Sequence, residues 1–249
     1  MNWDAAGSHA GGQGAGRREA LDVSAYLVVG PDDTRGRSAA SVVAAAVRAG
    51  FTAVQLRAKR QEAREQLALL AAMARAIGEA GGAGRVALLV DDRLDVALAA
   101  RAMGLPVAGV HVGQKDVPAH ICRQFLGREA VVGLSAHPAD LPHLAAEDIE
   151  AADYIGTGPL YRTASKPDAG FDADGRFEAR SLGEIAAFTK AAPRPVIVGG
   201  GLRAADLPAV RRTGAAGFFT ISAVAGAEEP EKAARAMLAA WNEAEGAGI

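Results

Sequence analysis

The stretch ALLVDDRLDVALAARAMGLPVAGVHV, residues 87–112, decides the fold. It opens on a run of Ala, Leu and Val, breaks at two aspartates, and continues through Ala- and Leu-rich residues with helical spacing. Gly104 and Pro106 end that spacing, and a second apolar run follows at once. Short apolar runs bounded by such breakers mark strands buried on both faces. Two of them joined by an amphipathic helix form the repeating unit of a parallel sheet with helices over it.

The same unit recurs in both directions. Upstream, Ala25–Val29 precedes a helix that begins near Ser38, a favoured N-cap, and stops at Gly50. Residues 53–57 precede a helix over 62–80, closed by Gly81 and Gly82. Within the opening stretch, 87–90 leads into 92–102, and 107–112 into a helix opening at Pro118, a residue suited to a first turn. Downstream, 131–134 leads to a short helix around 140–146, and 154–157 to a helix that arrives only near Ser181. Residues 196–198 lead to 203–213, ended by Gly214, and 217–221 to a last helix over 230–244. Eight such units in about 220 residues match a (β/α)8 TIM barrel in count and size. A doubly wound sheet competes, but no Gly-x-Gly-x-x-Gly follows the first strand. Residues 1–21 lack an apolar period and read as a flexible Gly/Ala-rich tail, which leaves 22–249 as one α/β barrel domain.

Composition narrows the partners. Lys and Arg number 27 against 29 Asp and Glu, a net charge of -2, so no basic footprint for nucleic acid exists. Aromatic residues make up 5% of the chain, too few for base-stacking platforms. Cys122 is the single cysteine, which excludes an intrachain disulfide and a multi-cysteine zinc site. No apolar run approaches the roughly 18 residues a membrane span needs, and no secretory signal core is present. A soluble, cytoplasmic enzyme without membrane or nucleic-acid partners is expected, with a homo-oligomer left open.

In a barrel the chemistry sits at the C-terminal ends of the strands. The second strand ends Gln55-Leu56-Arg57-Ala58-Lys59, where alternation puts Gln55 and Arg57 on one face with Lys59 just beyond. Arginine's planar fork and lysine's point charge suit a multiply charged anion, although an internal salt bridge explains the pair equally well. Asp91 and Asp92 end the third strand, and Asp116 follows the fourth. Beside such a cradle they suit Mg2+, which takes one or two carboxylates and completes its shell with phosphate and water. Helix capping would explain one of the three aspartates better than all of them. Ser135 and His137, after the fifth strand, are weaker signals, because neither belongs to a nucleophile elbow.

From Gly158 to about residue 178 no helical period appears, and Thr163, Ser165 and Lys166 offer two hydroxyls and an ammonium there. A connection of that length in a compact barrel is usually functional. Gly199-Gly200-Gly201 and Ile221-Ser222 end the last two strands, where barrels commonly bind phosphate. Two anion sites result, enough for two phosphorylated substrates.

Taken in order, Gln55-Leu56-Arg57-Ala58-Lys59, Val90-Asp91-Asp92-Arg93, Gly109 through Asp116, Gly133-Leu134-Ser135, Gly156-Thr157-Gly158-Pro159 with Thr163-Ala164-Ser165-Lys166, and Gly200-Gly201-Leu202 resemble the thiamine-phosphate synthase family. The resemblance implies Mg2+-assisted, dissociative coupling of 4-amino-5-hydroxymethyl-2-methylpyrimidine pyrophosphate to 4-methyl-5-(2-hydroxyethyl)thiazole phosphate. Under it, residues 55–59 and Asp91 hold the pyrimidine pyrophosphate, joined by Ser135 and Lys166. Asp92 and Asp116 ligate Mg2+. Residues 163–165, Gly201, Ile221 and Ser222 receive the thiazole phosphate. Arg57, Lys59 and Lys166 stabilise the departing pyrophosphate. The family usually carries Asn where Asp91 stands, which substitutes a pure acceptor and adds a charge beside the metal. A thiazole tautomerase, or a paralogue that binds thiamine phosphate without catalysis, is the alternative.

Overall fold

The computed structural model describes Arg18, residues 21–163 and residues 179–246. Eight parallel strands close into a barrel in sequence order, so that β1 pairs with both β2 and β8. They are β1 (Ala25–Val29), β2 (Ala53–Leu56), β3 (Ala87–Asp91), β4 (Val107–Val112), β5 (Val131–Ser135), β6 (Tyr154–Thr157), β7 (Val196–Val198) and β8 (Gly217–Thr220).

The strands are apolar on both faces because each face has its own core. Tyr26 and Val28 of β1 point inward with Ala53, Leu89, Val131, Tyr154 and Ile197. Their chain neighbours Leu27 and Val29 point outward, into the layer beneath the helices. The outer ring comprises α1 (Ala39–Ala49), α2 (Ala63–Glu79), α3 (Leu94–Ala102), α4 (Ala119–Leu126), α5 (Ala146–Ala151), α6 (Leu182–Ala191), α7 (Leu207–Arg211), α8 (Ser222–Ala225) and α9 (Pro230–Gly246). As expected, Ser38 caps α1 by accepting from the Ser41 amide, and Gly50 ends it in the left-handed region at φ 114°. Ser181 and Glu184 bond reciprocally at the start of α6. No helix among the described residues is long and apolar enough to cross a membrane.

Three expectations need correction, and two trace to proline. The helix placed at 140–146 is a 3-10 turn, Leu141–His143, followed by α5, because Pro142 interrupts the amide pattern and Leu144 turns extended. The helix placed at 203–213 splits at Pro208 into a 3-10 turn, Ala204–Asp206, and α7. The four-residue α8 directly after β8 was absent from the sequence reading, since so short a segment shows no period.

Glycine makes room for large polar side chains inside the barrel. A Cβ on Gly133 would lie 2.3 Å from the Tyr154 hydroxyl and 2.4 Å from His111 Nδ1. Tyr154 is fully buried, so Gly133→Ala should destabilise the protein by about 3 kcal/mol or prevent folding. Urea denaturation measures it; a loss below about 1 kcal/mol would show that the interior can relax.

Candidate active site

Charged groups converge where the sequence places them, at the C-terminal ends of β2, β3 and β4. Asp91 is buried, with 8% of its surface exposed, and faces the barrel interior. Its Oδ2 lies 3.1 Å from Lys59 Nζ and 3.7 Å from Arg57 Nε, while its Oδ1 accepts from the Gln55 amide. Lys59 also pairs with Asp92. Burial works against the ammonium of Lys59, but Asp91 and Asp92 together outweigh it and raise its pKa. The internal salt bridge is therefore made by the same residues the sequence offered as an anion cradle. Leu56 and Ala58 point into the layer beneath the helices, so any contact they make with a ligand is through the backbone. Gly30 follows β1 against this cluster: a Cβ there would meet the Arg57 carbonyl oxygen at 2.0 Å.

Asp92 and Asp116 form the metal-ligand candidate. Asp92 holds a left-handed backbone at φ 60°, a conformation uncommon for any residue but glycine. Neither Asp91 nor Asp92 caps a helix, since Arg93 stands at the cap of α3. One Asp116 oxygen closes the turn after β4 by accepting from the Gly113 amide at 2.8 Å. Burial raises the Asp116 pKa, and the facing carboxylate of Asp92 adds to the rise. Two carboxylates held against each other fit a divalent cation that draws its other ligands from phosphate and water. No group of three or more metal-ligating side chains occurs among the described residues, so a cation here depends on such outside ligands.

Inside the mouth lies a cavity of about 150 Å3, lined by Val28, Gln55, His111, Ser135, His137 and Phe219 among others. That volume is on the scale of one aromatic ring. Its floor is polar. His111 bonds Ser135 Oγ through Nε2 at 2.8 Å and the Tyr154 hydroxyl through Nδ1 at 2.9 Å. Tyr154 in turn bonds Tyr26, which bonds Gln55.

A smaller cleft joins this cavity at Thr163, Gly200 and Phe219, and continues along Gly201, Ile221 and Ser222. Gly200 and Gly201 have φ 92° and 72°, and Cβ atoms there would strike Pro159 and Tyr161. These glycines thus also serve the tight packing of the connection after β6 against the one after β7. Ala164, Ser165 and Lys166, and nearly all of the 171–180 stretch, lie outside the described residues.

Sequence reasoning missed Tyr26 and Tyr154 and gave His111 no role. The signal was available: all three are polar groups at inward positions of central strands, where a barrel otherwise holds aliphatic side chains.

Fold and mouth together define a barrel enzyme with its charged groups gathered at the C-terminal strand ends. The family model described as thiamine monophosphate synthase matches residues 25–224, and the chain belongs to that family. It is 37% identical over 226 residues to the thiamine-phosphate synthase of Corynebacterium efficiens, covering 91% of this chain and 98% of that one. With the thiamine-phosphate synthase of Roseiflexus castenholzii it shares 40% identity over 212 residues, 85% of each chain. Among solved structures, thiamine phosphate pyrophosphorylase from Pyrococcus furiosus superposes with a TM-score of 0.72 at 26% identity, over 91% of this chain and 98% of that one.

The raised Asp116 pKa fixes a sign. A carboxyl whose folded pKa lies above its unfolded one loses stability for the fold as pH rises through that range. Asp116→Asn keeps an oxygen for Gly113 and removes the repulsion. In metal-free buffer at pH 7 its Tm should rise by about 2 °C; a fall in Tm would contradict the repulsion between the two carboxylates.

Proposed function

We propose that this protein is a transferase that couples 4-amino-5-hydroxymethyl-2-methylpyrimidine pyrophosphate with 4-methyl-5-(2-hydroxyethyl)thiazole phosphate, giving thiamine phosphate and pyrophosphate. The observation that carries it is the meeting of Arg57 and Lys59 with Asp91, Asp92 and Asp116 beside a ring-sized cavity. It accords with the activity for which the relatives are named.

In this reading the pyrimidine ring enters the cavity beside Gln55 and Ser135, and its pyrophosphate lies over Arg57 and Lys59. Loss of pyrophosphate leaves a cation at the pyrimidine methylene, which the thiazole nitrogen captures. That nitrogen carries no proton, so no general base is required. Arg57 and Lys59, joined by Lys166, stabilise the charge that grows on the leaving group. Asp92 and Asp116 would hold Mg2+, which when bound neutralises pyrophosphate charge as a Lewis acid. The thiazole phosphate occupies the cleft of Thr163, Gly201, Ile221 and Ser222, together with Ala164 and Ser165.

Purified protein mixed with both substrates and Mg2+ should release pyrophosphate and form thiamine phosphate in equal amounts. No pyrophosphate under saturating conditions would reject the synthase and favour a tautomerase or a non-catalytic binder. Lys59→Ala and Lys166→Ala should each lower kcat about 100-fold with a smaller change in the KM for the thiazole. An unchanged kcat would remove that lysine from the leaving-group role.

A further inference from the structure

We propose that His111 is a positioning residue: it takes the hydroxyl proton of Ser135, so that Ser135 meets the substrate as a hydrogen-bond acceptor for an N–H group on the heteroaromatic ring. The substrate half of this inference rests on the reaction proposed above, in which the aminopyrimidine supplies that N–H.

Six side chains form one line across the barrel: Ser135, His111, Tyr154, Tyr26, Gln55 and Asp91. Counting protons gives every bond in it a direction. Asp91 lies against Lys59 and Arg57, and a carboxylate beside two cations only accepts. Gln55 therefore turns its amide nitrogen to Asp91 and its carbonyl oxygen to Tyr26. A carbonyl oxygen cannot donate, so the Tyr26 hydroxyl gives its one proton there. Tyr26 then offers Tyr154 lone pairs alone, across 2.8 Å, and Tyr154 must donate to it. For the same reason Tyr154 can only accept from His111, which puts the ring proton on Nδ1.

Burial raises the pKa of both phenols, so each keeps the one proton that the count assigns to it. A neutral imidazole protonated at Nδ1 accepts at Nε2, and the partner 2.8 Å away is Ser135 Oγ. The hydroxyl proton of Ser135 is thereby committed inward, and its lone pairs face the cavity. Turning the His111 ring over would put carbon where Nδ1 and Nε2 now meet Tyr154 and Ser135, and both bonds would be lost. A network serving only to stiffen the core would need its bonds satisfied, but it would not have to present one polarity at Ser135.

The test begins with 15N-labelled, unliganded enzyme, in which long-range 15N–1H spectra separate the two imidazole tautomers and His111→Gln assigns the signal. The expected state is neutral and protonated at Nδ1; the Nε2–H tautomer, or a doubly protonated ring, overturns the proposal. Tyr26→Phe then tests the direction at a distance, since Tyr26 bonds Gln55 and Tyr154 and neither His111 nor Ser135. Without the Tyr26 hydroxyl, Tyr154 is free to donate to Nδ1, so the tautomer should shift towards Nε2–H. The KM for the pyrimidine pyrophosphate should then rise about tenfold, while that for the thiazole phosphate stays within about twofold. An unchanged tautomer in folded Tyr26→Phe, or an equal rise in both KM values, refutes it. Should Tyr26→Phe fail to fold, the wild-type spectrum still decides the orientation. Wild-type enzyme inactive on these substrates, yet with the expected tautomer, would refute the reaction and the substrate half while leaving the chain of bonds intact.

Discussion

A buried negative charge organises the mouth of this barrel. Asp91 ends β3 facing inward, and an unpaired carboxylate at that depth would be too costly to keep. Its needs are met by Lys59 and Arg57 beyond the end of β2 and by Gln55 within it. Those partners share a face because strand side chains alternate. Parallel pairing of β2 with β3 then brings that face beside Asp91. The two cations that neutralise Asp91 are those proposed above for the pyrophosphate, so in that reading an arriving ligand competes with Asp91 for them.

The β strands were legible almost to the residue, because each apolar run is short and bounded by Gly, Pro or Asp. Where the reading slipped, at α5 and α7, the residue responsible was a proline inside a helical pattern. Of the site, the part carried by charge was legible: Arg57, Lys59, Asp92 and Asp116 fall at strand ends, where a core has no use for them. Tyr26 and Tyr154 were not, since an aromatic residue in a strand reads first as packing. Only the register, which sets their hydroxyls 2.8 Å apart across the barrel, shows them as polar partners. Leu56 and Ala58 show the opposite limit: they lie within a motif whose ligand-facing side chains are their neighbours.

The two ends of the strands carry different burdens. At the N-terminal end, Asp153 pairs with Arg18 and Arg123 and accepts from the Val132 amide, while Arg123 also donates to the Ala151 carbonyl oxygen. There the buried carboxylate meets two opposite charges. At the C-terminal end, Asp92 holds an unfavourable backbone conformation and Asp116 faces a like charge. Both lie on the rim that carries the candidate site, and strain of this kind is often found at functional sites.

The glycines after β7 carry one more consequence. Leu160 and Tyr161 donate their amides to the carbonyl oxygens of Gly199 and Gly200, so the segment leaving β6 is fastened to its neighbour by main-chain atoms. A tether of that kind is blind to side chains. The Leu160 and Tyr161 side chains take no part in those bonds, whereas Gly158 and Gly200, where a Cβ would meet the opposite segment at 2.3 Å and 2.4 Å, cannot be replaced without moving it. The rim at this point is therefore set by main-chain geometry rather than by which side chains stand there.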